Sequence, residues 1–264
     1  MKKYSFSRKS LGIPYAIFLV LFVVLPLLVL LFYAFTDGTG RPTLDNLLGF
    51  FTDPNTIGTL VYSLAVAVVT TIVSLLLAYP IAYILARSHL KTKGVIVMIF
   101  VMPMWINFSL RITALKEILT LLEGNLANFQ FLNAVIGMTY DFLPFMILPI
   151  FNTISKLDNS LVEAARDLGA TNAKAFLKVI LPLSMPGIIS GVAMVFLPAM
   201  TNYVVLDMLY NSTYIMGSLI GSYFAAYNWH SGSMIALVLL ALVCLFTIVS
   251  GDDGKEDRRG GALL

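Results

Sequence analysis

A chain of 264 residues that is 59% hydrophobic and only 12% charged, with a mean hydropathy of +0.89, is excluded from the ordinary soluble domains. Its net charge of +3 is spread along the sequence, which excludes a nucleic-acid-type basic patch and leaves membrane topology to explain the lysines and arginines. The single cysteine, Cys244, lies in an apolar run and cannot close an intrachain disulfide.

Six apolar stretches reach the length of about 20 residues that a helix needs to cross a bilayer. In chain order they fall at about 12–35, 59–86, 94–115, 132–154, 184–206 and 231–250. The first is longer than a signal-peptide core, and Phe32-Tyr33-Ala34-Phe35 offers no small-x-small cleavage site. The stretch Asp37–Gly58, rich in Gly, Pro, Asp and Asn, reads as an external loop carrying a short surface helix. Thr213–Tyr227 is apolar and aromatic but too short to span, which suggests an external helix lying in or re-entering the interface. Residues 1–250 form the transmembrane domain on this reading, with a cytoplasmic loop at about 156–182, and residues 251–264 form a solvated cytoplasmic tail.

Lysine and arginine set the orientation. With the N-terminus inside, the cytoplasm receives Lys2, Lys3, Arg8, Lys9, Arg87, Lys91 and Lys93. It also receives Lys156, Arg166, Lys174, Lys178, Lys255, Arg258 and Arg259, which makes fourteen of the seventeen. Only Arg41, Arg111 and Lys116 remain outside, so the positive-inside rule places both termini in the cytoplasm. Of the two histidines, His89 falls in a basic cytoplasmic loop and His230 in an external one.

The polar interlude between the fourth and fifth spans holds the most information. Ser160-x-x-Glu163 has the spacing of a capping box, in which the Ser160 hydroxyl accepts from the Glu163 N–H. Leu161, Ala164, Ala165 and Leu168 then line one helical face, and Gly169 sits where a helix end calls for a left-handed residue. A second short helix is predicted from about Asn172 to Ile180, with Phe176, Val179 and Ile180 on one side and Pro182 and Pro186 closing it. A structural connector would satisfy the same pattern. The full string Glu163-Ala164-Ala165-x-x-x-Gly169-Ala170, with Phe176 and Leu181-Pro182 behind it, resembles the E-A-A-x-x-x-G-A loop of permease subunits in bacterial binding-protein-dependent ABC importers. The resemblance implies that Glu163, Ala164, Ala165, Asp167, Leu168, Gly169, Ala170 and Phe176 couple the chain to its ATPase.

The resemblance extends over roughly residues 10–250. Tyr79-Pro80-Ile81-Ala82-Tyr83, Met102-Pro103-Met104-Trp105, Leu143–Pro149 and Leu181–Ile189 are similar to the B-type permeases of spermidine/putrescine importers. This implies an all-α, six-span, type I ABC importer (MetI-like) permease fold in the bacterial inner membrane. It also implies a heterodimer with a C-type permease, two ATPase subunits and an extracytoplasmic polyamine-binding protein, with no cofactor of its own. Two positions depart from that branch: Asn202 stands where an acidic residue is usual, and Asp141 where asparagine is frequent. The departures leave ferric ion, sulfate or another small solute open as cargo.

A charge at mid-membrane costs roughly 2.5–3.5 kcal/mol on insertion scales, so intramembrane ionisable residues need a reason. Asp141, three residues before Pro144, either lines a path for an amine or pairs with Arg111 of the third span. Tyr140, Trp105, Asp207 and Asn202 complete the candidate path, with aromatic-belt and interfacial roles as the plainer reading. No G-x-x-x-x-G-K-[S/T] phosphate loop occurs, so ATP is to be hydrolysed by another chain. No Cys/His metal pattern occurs either. An intramembrane serine protease would need a histidine inside a span, and neither histidine falls in one.

Overall fold

The computed structural model describes residues 12–88, 90–209 and 215–251, with the side chains of 249–251 set aside. Lys2, Lys3, Arg8, Lys9, His89, Thr213, Lys255, Arg258, Arg259 and the tail beyond Gly251 lie outside the described residues.

Among the described residues the chain is helical, apart from loops and an isolated bridge between Thr36 and Pro42. In chain order the helices are α1 (Gly12–Ala34, with a π turn at Val20–Val24), α2 (Asp45–Thr52), α3 (Pro54–Arg87), α4 (Lys93–Trp105) and α5 (Phe108–Glu123). They continue with α6 (Leu126–Ser155), α7 (Ser160–Asp167), α8 (Asn172–Leu183, with a π turn at Phe176–Ile180) and α9 (Met185–Thr201). Last come α10 (Val204–Leu209), α11 (Met216–Ala225) and α12 (Trp229–Gly251). Among the described residues four of them, α1, α3, α6 and α12, are each long and apolar enough to cross a membrane, and counting each of two bent pairs as one span gives up to six.

The third and fifth expected spans are not single helices. Instead of one helix over 94–115, α4 and α5 meet at 94°. Pro103 starts a tight turn, and the Asn107 side chain accepts from the N–H groups of Ser109 and Leu110 at 2.9 and 3.4 Å, capping a new helix. A proline and an asparagine four residues apart thus end one helix and begin the next. In the fifth span the helix runs through Pro182, breaks at Ser184 with a 63° bend, and stops at Thr201, short of the expected 206. Pro144, Pro149 and Pro198 lie within helices, as membrane helices tolerate when neighbours satisfy the freed carbonyls.

The chain divides into two compact units. In the unit formed by Met1–Gly58 and Leu219–Leu242, Asn46 Nδ2 donates to the carbonyls of Ala34 and Thr36, both at 3.0 Å, tying the loop to the end of α1. The His230 ring lies edge-on to Tyr33 at 5.4 Å. The unit formed by Thr59–Ser218 and the residues from Val243 onwards holds the polar interlude. Its best-packed pair is α6 against α9, and two glycines set the approach. A Cβ on Gly187 would lie 2.6 Å from Thr153 Oγ1 and 2.8 Å from the Pro149 carbonyl. On Gly191 it would meet Met146 Sδ at 2.7 Å. This small-x-x-x-small pattern is how membrane helices come into close contact, where burial from water supplies little drive. The interlude connects this pair of helices.

Candidate functional site

The interlude folds as two short helices joined by a tight reversal. Gly169 has φ +81°, its N–H donates to the Arg166 carbonyl at 2.8 Å, and the Ala170 N–H reaches back to the Ala165 carbonyl at 3.0 Å. That pair of bonds is the Schellman arrangement, and it needs a residue free of left-handed strain at its centre. Ala165, Gly169 and Ala170 of the motif are therefore the residues that build the turn. The next helix is capped by Thr171, whose hydroxyl accepts from the Lys174 N–H at 3.3 Å.

The Ser160 capping box is not formed. The helix starts one residue earlier, so the Glu163 N–H donates to the Asn159 carbonyl at 3.2 Å as in any helical turn. Asp158 caps instead, accepting from the Ser160 N–H at 3.0 Å. Its bonds with the Ser160 N–H and hydroxyl hold its carboxyl below the ordinary carboxylate range.

The surface presented is apolar where water would meet it. Leu168 is 90% exposed, Leu177 58% and Leu161 45%. Glu163, Ala164, Asp167 and Gly169 are exposed too, while Ala165 and Ala170 are half-buried. Phe176 departs from this outward set. Its ring meets those of Tyr79 and Tyr83 edge to face, with centroids 5.7 and 5.3 Å apart. Arg87 donates to the Asn159 side chain, and a cleft of about 210 Å³ opens between Arg87, Glu163 and Arg166.

Of the candidate path residues, the structure brings Tyr140 and Asp141 together with Arg111. Asp141 and Arg111 are both buried and form an ion pair between α6 and α5. The Arg111 guanidinium also lies 6.0 Å from the Tyr140 ring centre. Asp141 is met by Nη2 alone, and Nε and Nη1 of Arg111 have no hydrogen-bond partner among the described residues. The Asp141 carboxylate is thus occupied within the chain. Asn202 caps α10 by accepting from the Val204 N–H at 3.1 Å, and Asp207 is exposed on the same short helix. That helix packs on α6 at Gly137, where a Cβ would meet Leu209 at 2.7 Å and Val205 at 2.9 Å. Trp105 is 76% exposed at the α4–α5 bend.

Residues 78–251 match the family model described as the binding-protein-dependent transport system inner membrane component. The chain belongs to this family. Among curated relatives of this inner membrane component, the Haemophilus influenzae spermidine/putrescine transport system permease protein PotB is 36% identical over 92% of this chain and 92% of that protein. The Escherichia coli K12 protein of the same name is 34% identical over 88% of this chain and 92% of its own length. A Mycoplasma genitalium homolog of PotB is 31% identical over 69% of this chain and 70% of its own. Among solved structures, a bacterial alginate ABC transporter in complex with its alginate-bound periplasmic protein matches with a TM-score of 0.73 at 12% identity, covering 92% of this chain and 91% of that one. At that identity the likeness concerns the fold, which is the all-helical permease fold of ABC importers.

This inner membrane component is accordingly a multi-pass permease subunit of an ABC importer, a transport subunit and not an enzyme. Permeases of this class work with a second permease, an ATPase and a substrate-binding protein. Sequence reasoning missed the inward anchoring of Phe176, the Arg87–Asn159 bond and the Thr171 cap. The signal for the first two was available: Tyr79, Tyr83 and Arg87 recur every four residues and face one way on a helix.

Proposed function

We propose that this permease carries polyamines, spermidine or putrescine, as the B-type half of a heterodimer with a C-type permease, two ATPase subunits and an extracytoplasmic polyamine-binding protein. The observation that carries this reading is the 36% identity, over nearly the whole of both chains, to a permease named for spermidine/putrescine transport. Both termini are cytoplasmic, following the lysine and arginine distribution, and residues 251–264 are a cytoplasmic tail outside the 1–250 permease domain.

Glu163, Ala164, Ala165, Asp167, Leu168, Gly169 and Ala170 form the ATPase-docking face of the loop at 156–182. Support comes from an apolar residue, Leu168, left 90% exposed beside exposed Glu163 and Asp167. An uncovered apolar side chain beside charges is what a docking surface offers. Closure of the ATPase dimer on ATP pushes this face, and the α6–α9 pair joined by it swings from inward-open to outward-open.

Cargo passes Trp105, Tyr140, Asn202 and Asp207, which offer aromatic faces and oxygen atoms to an amine. Entry of a cation is already favoured by about 2.3 kcal/mol per charge per 100 mV of inside-negative potential, so weak contacts suffice. The buried Asp141 serves as the counterion of Arg111.

The test is uptake by the assembled complex in vesicles, with the binding protein supplied and spermidine, putrescine, ferric ion and sulfate compared. Stimulated ATP hydrolysis and uptake are expected with the two amines. Stimulation by a sulfate- or iron-loaded binding protein alone would overturn the polyamine reading and leave the importer class standing. For orientation, Lys174→Cys in a Cys244→Ala background is expected to resist an impermeant thiol reagent in intact cells, while Asp45→Cys labels.

A further inference from the structure

Along the last turns of α3, Tyr79, Tyr83 and Arg87 stand in one row, and each holds a different point of the loop connecting α6 and α9. The Tyr79 hydroxyl is 2.9 Å from Ser184 Oγ, both buried, at the break between α8 and α9. Tyr79 and Tyr83 together hold the Phe176 ring edge to face, at interplanar angles of 89° and 83°. Arg87 bonds to the Asn159 side chain just ahead of α7. One row of α3 therefore grips the loop at its entrance, within its second helix and at its exit.

Backbone continuity explains how the loop moves α6 and α9, but α3 is no chain neighbour of it. These side chains connect the two. The loop also has two faces of different character: Leu168 and Leu177 point away uncovered, while Phe176 points in and is half-buried. Phe176 opens a π turn, Phe176–Ile180, a bulge that is frequent at functional positions in helices.

We propose that the Tyr79–Tyr83–Arg87 row passes the movement of the loop to α3, which makes Tyr79, Tyr83 and Phe176 positioning residues for energy coupling and not ATPase contacts. This rests on the reading of 156–182 as the ATPase-docking loop. Edge-to-face rings are directional contacts, so the row holds α3 at a fixed angle to the loop while both move. Losing one such pair shifts an equilibrium by about two- to tenfold.

The experiment uses the complete complex. Spin labels at Ile84→Cys and Lys178→Cys, both exposed positions, in a Cys244→Ala background report the distance between α3 and the loop. That distance is expected to be the same without nucleotide and with ATP and vanadate. It is expected to change on trapping once Tyr83→Leu is added, and to stay fixed with Tyr83→Phe, which keeps the ring. In vesicles with spermidine-loaded binding protein, Tyr83→Leu and Phe176→Leu are expected to keep bound ATPase and its hydrolysis. Spermidine taken up per ATP should fall about two- to tenfold.

A distance that changes on trapping in the parent overturns the proposal. So does an equal fall of hydrolysis and uptake in the two variants, which is what a merely structural contact gives. Failure of the underlying reading looks different: Leu168→Ser would then retain its ATPase and its stimulated hydrolysis. The distance measurement needs no cargo and holds whatever solute the importer carries.

Discussion

Two regions of this permease break the same rule in opposite directions. At the loop between α6 and α9, which faces water, Leu168 stands 90% exposed. Between α5 and the long, apolar α6, Arg111 and Asp141 are buried. Each arrangement is costly unless something covers it. For the charges the cover is internal, since each neutralises the other. For Leu168 nothing among the described residues covers it, and the docking proposal assigns that cover to the ATPase. The difference teaches how to read an exception: its partner decides whether the residue serves the stability of the chain or the assembly of the complex.

The comparison breaks most visibly at the ion pair. Removing one partner strands the other charge where no second ion-pair partner exists among the described residues. Arg111→Ala or Asp141→Asn is expected to destabilise by about 3–5 kcal/mol, the usual result of orphaning a buried charge. Arg111→Met combined with Asp141→Leu should recover most of that loss. Thermal unfolding of the purified complex reports both. If Asp141→Asn matches the parent in stability but loses amine uptake, the carboxylate belongs to the cargo path after all.

A smaller loss is expected at the α6–α9 contact. Gly187→Ala places a methyl group 2.6 Å from Thr153 Oγ1 and 2.8 Å from the Pro149 backbone carbonyl. The carbonyl cannot turn aside as a side-chain tip can, so the helices must part, at about 1–3 kcal/mol. Gly221→Ala, which meets nothing within 4 Å inside α11, is the control and should not lower thermal stability, the added helix propensity favouring Ala by up to about 1 kcal/mol.

Much of this was legible beforehand, for identifiable reasons. Four of the six spans read correctly because uninterrupted apolar runs leave one outcome in a bilayer. The turn at Gly169 read correctly because a left-handed residue has a strong glycine preference. The α4–α5 bend did not, since Pro103 and Asn107 lie in an otherwise spanning run and hydropathy averages over them. Ser160 was misread because Asp158, Asn159 and Ser160 all cap helices well, and which one wins depends on where the chain enters the turn. The pairing of Asp141 with Arg111, thirty residues apart, was one of two readings that periodicity could not separate.

On the water side the expectation reverses. Gly169→Val puts a β-branched residue at φ +81°, costing about 1–2 kcal/mol of local strain and opening the reversal between α7 and α8. Leu168→Ser should change stability by no more than about 0.5 kcal/mol, as exposed substitutions usually do. Both variants should insert normally yet lose ATPase during purification. Leu168→Ser that retains its ATPase would remove the ground for the comparison, because the exposed leucine would then need no partner.

The finest test concerns what starts α7. The geometry assigns the cap to Asp158, which accepts from the Ser160 N–H at 3.0 Å, and takes it from the Ser160 hydroxyl that the sequence pattern favoured. Asp158→Ala should therefore fray the first turn of α7 and weaken ATPase binding, and Ser160→Ala should do so less. A charged cap also has a pH signature. Hydrogen bonding to the Ser160 N–H, then to its hydroxyl, lowers the Asp158 carboxyl below its ordinary range. A group whose folded value is depressed contributes fully above its unfolded value and loses that contribution as pH falls through the folded one. Capping by Asp158 is accordingly intact at neutral pH and fades only below the ordinary carboxylate range. Fluorescence of a probe at Leu161→Cys, followed on acidification, should show α7 loosening in that acid window in the parent. With Asp158→Asn the transition should vanish, because an amide caps without titrating. A parent transition that survives Asp158→Asn would return the start of α7 to some other group, and Ser160→Ala would then be the variant to compare.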